Sequence, residues 1–372
     1  MNISNSSTSS FKSFINLFLA TLSILLLVIM GFLIAVDPFN FKPNSDGFVM
    51  LPFKEGENPI NDRYAVNTMI KSAKYDSAIF GSSVSYILEN DHLNKELEVN
   101  FANLSMRAAL PYEQILVARR FVEFRNNPKF VIFFITMPWC DNSSNPTTLR
   151  DPGGPIPEKD FPIWLIDQNP FNEIQHIFNL KTLEYSGKKL RIMMGKKSYS
   201  PSNYDLYGSS QSPDANHIKP IEQVRKILYG DSNKKREAPK NIDAQEYEKI
   251  LNSKNFGRID LLRDFIKSLP DQTVKILLFS PRHYFSQPIT SSYEGARIQA
   301  CKAYTLKQFG DVKSTKVIDF LIDGVVTRND SNFWDGDHFN YRVARKVIPL
   351  LVVKALKNNK SDDGYYKLIL SN

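Results

Sequence analysis

Asp76-Ser-Ala-Ile-Phe-Gly-Ser-Ser-Val-Ser85 is the stretch of sequence that decides the fold. It predicts a buried strand over Ser77 to Phe80, followed by a tight turn of small residues. Where such a strand passes into a helix, free backbone N–H groups attract the negative charge that develops on a substrate oxygen. A turn that merely caps a helix is the structural alternative. Of the two serines in the turn, Ser82 and Ser83, we favour Ser83 as a nucleophile.

A second segment, Phe333-Trp-Asp-Gly-Asp-His-Phe-Asn340, supplies the groups that a nucleophilic serine needs. A serine hydroxyl becomes reactive when a positioned base removes its proton and a third group orients that base. Asp335 stands three residues before His338, so a turn can bring its carboxylate onto one ring nitrogen and leave the other for Ser83. Asp337 is adjacent to His338 and is the weaker candidate. The structural alternative is an Asp-rich helix N-terminus with a surface histidine.

Outward from these segments, short apolar runs alternate with amphipathic stretches, which predicts an α/β fold. We expect a three-layer sandwich with about five mostly parallel strands, and a site beyond their carboxyl ends. The predicted strands are Ser77 to Phe80, Val99 to Ala102, Phe130 to Thr136, Val274 to Phe279 and Lys316 to Phe320. The predicted helices are Tyr112 to Asn126, Phe171 to Ile192, Glu246 to Ser268, Tyr293 to Phe309 and Tyr341 to Leu356.

The N-terminal region contains a long apolar stretch, Ser13 to Val36, without a charged residue. As a helix rising about 1.5 Å per residue, it reaches across a hydrocarbon core of about 30 Å. A cleaved signal peptide would have a shorter apolar run followed by small residues, so we favour a retained transmembrane anchor. We expect a single-pass protein of the inner (cytoplasmic) membrane with its large domain on the periplasmic, extracytoplasmic side. The chain then divides into a cytoplasmic tail (1–12), the anchor (13–36), a lead-in segment (37–70), an α/β domain (71–357) and a C-terminal tail (358–372).

Within the domain, the interval from about 141 to 241 breaks the alternation and is predicted to be an insertion over the catalytic edge. The net charge of +8 is spread along the chain without a nucleic-acid motif, so we expect no nucleic-acid partner. Cys140 and Cys301 are compatible with one disulfide in an oxidising compartment, but two cysteines do not fix a pairing. No cofactor and no metal site is indicated.

Together, these residues resemble the SGNH, or GDSL-like, hydrolases and acyltransferases. The nucleophile block is matched by Ile79-Phe-Gly-Ser-Ser83, with Ser82 where many members have Asp, and the Asp-x-x-His block by Asp335 to His338. Phe101 to Glu113 resembles the second block, with Ala108 where the family usually has an oxyanion-hole glycine. In the third block, Thr136-Met-Pro-Trp139 lacks the family's asparagine, and Asn142 lies a few residues beyond. The resemblance implies a flavodoxin-like fold and the catalytic residues Ser83, Asp335 and His338.

The variant pattern is similar to membrane-anchored members that modify envelope polymers, such as the D-alanyl transfer protein of teichoic acids and the alginate O-acetylation proteins. It implies an acyl group carried on Ser83 and passed to water or to a glycan hydroxyl, with a membrane-bound O-acyltransferase as a partner. Ser82, Ala108 and Asn142 are candidates for oxyanion or substrate contacts. Arg282 or His283, after the strand Val274 to Phe279, is a further candidate. Two alternatives stay open: a non-catalytic, glycan-binding assembly partner, and an esterase that acts on lipids.

Overall fold

A six-stranded sheet forms the centre of the protein. The computed structural model describes residues 5–38, 60–141, 146–147, 180–194, 220–230, 242–252 and 256–372. The strands are β1 (Ser77–Phe80), β2 (Phe101–Asn103), β3 (Phe130–Ile135), β4 (Val274–Phe279), β5 (Thr315–Asp319) and β6 (Lys367–Ser371). Their order is β2-β1-β3-β4-β5-β6, and every neighbouring pair is parallel except β5 and β6. The prediction of an α/β fold with a mostly parallel sheet is therefore confirmed.

The number of strands differs from the prediction, because β6 lies in the region assigned to a C-terminal tail. It pairs antiparallel with β5, with Lys316 opposite Ser371 and Asp319 opposite Lys367. Its side chains are exposed or half-buried, as expected for an edge strand with a single neighbour. Its three central residues, Leu368, Ile369 and Leu370, form a short apolar run that the sequence analysis assigned to the tail.

Two of the predicted helices are irregular or divided in the structure. The described helices are α1 (Asn5–Val36), α2 (Ile60–Lys71), α3 (Asp91–Leu97), α4 (Pro111–Phe124), α5 (Leu180–Met193), α6 (Ile221–Tyr229), α7 (Ala244–Leu251), α8 (Gly257–Lys267), α9 (Tyr293–Phe309) and α10 (Ile348–Asn358). The predicted helix Glu246 to Ser268 is α7 and α8, and Gly257 opens α8. The predicted helix Tyr341 to Leu356 contains a π-helical turn, Val343–Val347, directly before α10. Pro349 lacks an N–H group and explains that irregularity.

Helices cover both faces of the sheet, which gives the predicted three layers. On one face, α2, α4, α8 and α9 pack over strand residues such as Phe80 and Phe133, whose rings stack at 4.8 Å. On the other face, α3 and α10 pack over the alternate strand residues, such as Ile79 and Ile132. The strands are thus buried on both sides, which is why they are almost continuously apolar.

The N-terminal helix α1 is long and apolar enough to cross a membrane over Phe11–Val36. At about 1.5 Å per residue, this span is roughly 39 Å long. Most of its apolar side chains are exposed, including Leu17 and Leu27, so it is not a core helix of the domain. Among the described side chains of α1, the buried ones lie at its C-terminal end: Leu33 and Val36 are buried where α1 meets α5.

The insertion and the lead-in segment are described only in part. Residues 180–193 of the helix predicted at Phe171 to Ile192 are helical, and 171–179 lie outside the described residues. The lead-in segment ends in α2, which packs against α4. Arg63 of α2 forms a buried ion pair with Glu113 of α4 at 2.8 Å. The α/β unit therefore begins at α2, earlier than the boundary at residue 71.

Candidate active site

The proposed nucleophile lies in a turn immediately after β1. Gly81 cannot carry a side chain, because a Cβ there would collide with the Ser85 hydroxyl. The carbonyl of Ser82 accepts hydrogen bonds from the N–H groups of Ser85 (3.2 Å) and Tyr86 (3.1 Å), which closes a helix-like turn around Ser83. Ser85 in turn shares a hydrogen bond of 2.8 Å with Ser105 after β2. The turn is thereby fixed to the neighbouring loop.

The segment that contains Asp335 and His338 forms a second compact turn. Oδ1 of Asp335 accepts hydrogen bonds from the N–H groups of Asp337 (2.7 Å) and His338 (2.8 Å). Both carboxylate oxygens also lie near Nδ1 of the His338 ring, at 3.0 and 2.9 Å. Phe333 and Phe339, which flank the turn, are fully buried and form a β-bridge. The carboxylate thus orients both the backbone and the ring of His338.

These two turns meet at the serine. Nε2 of His338 lies 2.9 Å from Oγ of Ser83, although the two residues are 255 positions apart. The result is an unbroken chain of hydrogen-bond contacts from Ser83 through His338 to Asp335, with the carboxylate on one ring nitrogen and the hydroxyl on the other. This arrangement allows the histidine to remove the serine proton while the carboxylate stabilises the imidazolium.

Electrostatics favour the required protonation states. Burial alone would raise the pKa of Asp335, but the hydrogen bonds from the His338 ring and from two backbone N–H groups outweigh it and lower the pKa to about 2. The hydrogen bond to Asp335 raises the pKa of His338 above its ordinary value of 6.5, against the opposing effect of burial. With Asp335 ionised, Nδ1 carries the proton of a neutral His338, and Nε2 is free to accept the serine proton.

The turn after β1 and the loop after β2 each supply a backbone N–H group, those of Ser83 and Ala108. Ala108 has a left-handed conformation, with φ of 55°, so it occupies the backbone position that usually needs glycine. Among the described residues, the N–H groups of Ser83 and Ala108 donate no hydrogen bond. Both residues line the cavity beside the nucleophile. These N–H groups are therefore available to a substrate oxygen.

Asn103 at the end of β2 holds the two loops together. Its buried amide donates to the carbonyls of Ser85 (3.0 Å), Tyr86 (3.2 Å) and Leu88 (3.2 Å). Its Oδ1 accepts the N–H of Ser105 at 3.1 Å. Asn103 acts as a positioning residue for the nucleophile turn. An asparagine at the end of a buried strand is the sequence signal for this role, because a buried amide must satisfy several hydrogen bonds.

The loop after β3 forms another wall of the site. Thr136, Met137, Pro138 and Cys140 line the cavity. Cys140 forms a disulfide with Cys301 of α9, which joins this loop to α9. Asn142, the candidate for the missing oxyanion donor, lies outside the described residues. The described part of this loop, Thr136 to Asp141, contains no asparagine.

The two candidates in the loop after β4, Arg282 and His283, lie in different environments. Arg282 lines the cavity and pairs with Asp337, next to His338. His283 is fully buried, and its Nε2 lies 3.2 Å from Asp330 while Nδ1 accepts the N–H of Phe285 at 3.3 Å. The prediction that His283 contacts substrate is therefore wrong, because both ring nitrogens are engaged within the fold. Burial lowers the pKa of His283, which keeps the ring neutral.

A cavity of about 640 Å³ opens beside Ser83 and His338. Ser82, Ala108, Thr136 and Arg282 all contribute to it, so the carboxyl ends of β1, β3 and β4 converge here as a parallel sheet predicts. Ser280, also on its wall, is buried, and its hydroxyl has no hydrogen-bond partner among the described residues. Among the residues that the structure describes, no group of three or more His, Cys, Asp or Glu residues is arranged to hold a metal ion.

Comparisons with protein-family models, with curated proteins and with solved structures give no match. The interpretation of the site therefore depends on its own geometry. Three of the predicted residues, Ser83, Asp335 and His338, are brought together in the order that a serine nucleophile requires.

Proposed function

We propose that this protein is a membrane-anchored, extracytoplasmic serine esterase or O-acyltransferase of the SGNH type. Its proposed substrate is a cell-envelope or exported polysaccharide, modified through an acyl-serine intermediate. The observation that carries the proposal is the hydrogen-bond chain in which His338 lies 2.9 Å from Ser83 and 2.9 Å from Asp335. A helix cap with a surface histidine would not require a connection across 255 residues.

The proposed reaction begins with attack of Ser83 Oγ on the carbonyl carbon of an ester. His338 Nε2 takes the serine proton and then gives it to the departing alcohol oxygen as the ester C–O bond breaks. A second oxygen nucleophile, water or a glycan hydroxyl, attacks the acyl-serine and loses its proton to His338. The serine regains that proton when the acyl group leaves. Throughout, the carboxylate of Asp335 stabilises the imidazolium.

The N–H groups of Ser83 and Ala108 are the proposed donors to the oxyanion. Both are unpaired among the described residues, and both line the cavity. The left-handed conformation of Ala108 supports the SGNH assignment, because this is the position where the resemblance expects a glycine. The loss of one donor from such a site typically costs about 10²- to 10³-fold in rate. The absence of an asparagine from Thr136 to Asp141 therefore predicts modest turnover rather than none.

The membrane setting rests on α1, whose apolar span ends where the helix meets α5. With the short N-terminal segment inside the cell, the catalytic domain would lie outside the inner membrane. The disulfide between Cys140 and Cys301 is compatible with that side, since disulfides persist in oxidising compartments. A membrane-bound O-acyltransferase is the proposed source of the acyl group, and a glycan hydroxyl its acceptor.

The test is labelling of the full-length protein in detergent with a serine-reactive fluorophosphonate. Wild type should be labelled, and Ser83→Ala and His338→Ala should not be, because the first lacks the nucleophile and the second lacks the base. Ser82→Ala is the matched control: it removes the adjacent hydroxyl, which forms no hydrogen bond with His338 among the described residues, and it should keep the label. A folded wild-type protein that remains unlabelled would contradict the catalytic proposal and favour a non-catalytic glycan-binding partner.

Labelling alone does not identify the acceptor. The labelled protein should therefore be incubated with an acylated envelope glycan and with the deacylated glycan plus an activated ester. Mass spectrometry of the glycan should show loss of acyl groups in the first case or their gain in the second. Ester cleavage in lipid vesicles without any change in either glycan would overturn the polysaccharide assignment.

A further inference from the structure

The cavity beside Ser83 is far larger and more apolar than catalysis on a small acyl group requires. Apolar side chains from β3, β4, α9 and the connecting loops form most of its wall. Those that define the wall are Leu110, Ile135, Met137, Phe279, Ile298 and Leu321. Five of these six side chains, including Phe279 and Ile298, are also members of or packed against the hydrophobic core on this face of the sheet. The cavity therefore extends from the turn that contains Ser83 into the hydrophobic core.

Sheet topology gives the length of the pocket. Ser83 follows β1 and Leu321 follows β5, and the order β1-β3-β4-β5 places three strand-to-strand steps between them. At about 4.8 Å a step, the pocket runs roughly 14 Å from the nucleophile along the carboxyl ends of the strands. Carbon–carbon single bonds of about 1.5 Å in a staggered chain advance roughly 1.25 Å each. The distance therefore matches a chain of roughly eleven carbons.

The volume of the cavity is also sufficient for an acyl chain of about this length. A methylene group is similar in size to a water molecule, which takes up about 30 Å³ in the liquid. An acetyl group, with three non-hydrogen atoms, would then use only about 90 Å³ of a cavity of about 640 Å³. A chain of ten carbons would use about 300 Å³, which leaves room for part of the leaving group.

Charges on the wall argue against an aminoacyl group. An ammonium group beside the reacting ester would need an available carboxylate. Two carboxylates other than Asp335, those of Glu294 and Asp337, line the described part of the cavity, and each already pairs with an arginine, Arg297 and Arg282 respectively. The pocket thus presents apolar surface along its length and paired charges at its edge.

We propose that this pocket holds an aliphatic acyl chain of roughly eight to twelve carbons, so that the group carried on Ser83 is a medium-length fatty acyl. The inference rests on the proposed function, because it concerns the acyl group of the acyl-serine intermediate. The chain extends from Ser83 into the pocket towards Leu321. Bond making and bond breaking are those already described for Ser83 and His338.

The experiment measures kcat/KM of the full-length protein with p-nitrophenyl acetate, butyrate, hexanoate, octanoate and decanoate. Burial of a methylene contributes about 0.8 kcal/mol, which corresponds to about fourfold in kcat/KM. We expect a rise of at least about 100-fold from the acetate to the octanoate. A flat series, or a preference for the acetate, would overturn the inference.

A variant that fills the far end of the pocket separates binding in the pocket from non-specific adsorption of long esters. Leu321→Trp should lower kcat/KM for the decanoate by at least tenfold more than for the acetate. Leu350→Trp is the matched control, because it makes the same replacement at a half-exposed position on α10, on the other face of the sheet. It should leave the ratio of the two esters unchanged. If Leu321→Trp does not fold, Ile298→Phe adds less bulk to the same pocket and should change the ratio in the same direction.

Failure of this inference can be distinguished from failure of the proposed function. Fluorophosphonate labelling of Ser83 together with a flat chain-length series would leave the serine enzyme standing and remove only the medium-length acyl group. An equal loss for all esters in Leu321→Trp and Ile298→Phe would also contradict the pocket. No labelling and no hydrolysis of any ester would overturn both.

Discussion

Replacement of Asp335 by Asn tests how His338, the proposed general base, is oriented. In the wild type, Oδ1 of Asp335 accepts the N–H groups of Asp337 and His338, and Oδ2 lies 2.9 Å from Nδ1 of the ring. In Asp335→Asn, Oδ1 can keep both backbone hydrogen bonds, which leaves the amide nitrogen facing Nδ1. That nitrogen is a donor, so it stabilises the tautomer with a bare Nδ1 and a proton on Nε2. Such a histidine cannot accept the proton of Ser83.

The expected loss of kcat is about 10⁴-fold, or about 5.4 kcal/mol in the activation barrier, as for a triad with the wrong tautomer. The expected loss of stability is much smaller. Lowering the pKa of Asp335 from 3.8 to about 2 corresponds to roughly 2.4 kcal/mol, but its side chain is 39% exposed. Solvent screening reduces this to about 1 kcal/mol. Because the folded-state pKa is lowered, the contribution is present at pH 7 and is lost as the pH falls from about 4 towards 2.

Asp337→Asn is the control for this experiment. It makes the same chemical change two residues away, on a carboxylate that pairs with Arg282 and not with the His338 ring. We expect its kcat to stay within tenfold of the wild type in steady-state hydrolysis of a p-nitrophenyl ester, and urea unfolding should show both variants folded. A loss of less than tenfold in Asp335→Asn, or equal losses in the two variants, would refute the assignment of Asp335 as the orienting carboxylate.

Three further predictions follow from contacts around the site. The hydrogen bond to Asp335 has the largest effect on the pKa of His338; in addition, the charge of Asp337 raises this pKa and that of Arg282 lowers it. The acidic limb of the kcat/KM profile should therefore move to lower pH in Asp337→Asn and to higher pH in Arg282→Gln. Shifts of the two variants in the same direction would contradict this. Replacing Cys140 and Cys301 together by Ala opens a loop of 161 residues. Urea unfolding should show a free energy of unfolding that is lower by up to about 5 kcal/mol. An unchanged unfolding midpoint would contradict a stabilising role of the disulfide. Ala108→Gly should relieve left-handed backbone strain at φ of 55°. It should raise the free energy of unfolding by up to about 1 kcal/mol and leave ester hydrolysis intact. A large decrease in the free energy of unfolding would show that packing of the alanine side chain stabilises the loop.

Local sequence was sufficient where a signal and its partner lie close together in the chain. The bounds of β1, β4 and α9 agree with the predicted ones, because each is a run of one periodicity ended by a turn or a cap. Asp335 and His338 could be paired from a spacing of three residues. The link from His338 to Ser83 spans 255 residues and needed the additional assumption of a parallel sheet, whose strand ends converge at one edge.

Sequence reasoning failed where a distant partner decides the role of a residue. His283 follows β4 at the edge where the site forms, but Asp330, 47 residues later, engages its ring inside the fold. Strand β6 is a run of only three apolar residues, Leu368 to Leu370, and its pairing with β5 is a tertiary contact. The disulfide likewise joins residues 161 positions apart, and nothing in the local sequence of either cysteine identifies the other. Each of these features is fixed by tertiary contacts and not by local pattern.

The apolar pocket and the lack of an asparagine from Thr136 to Asp141 both affect the energetics of the proposed reaction. Without a side-chain amide, an oxyanion hole loses about 2.7 to 4 kcal/mol of transition-state stabilisation. A buried acyl chain contributes about 0.8 kcal/mol per methylene, so four or five methylenes in the pocket offset that loss in kcat/KM. They raise kcat only to the extent that the chain is held more tightly in the transition state than in the ground state. A protein with this site should therefore be efficient with long acyl groups at low ester concentration, yet slow in turnover once saturated.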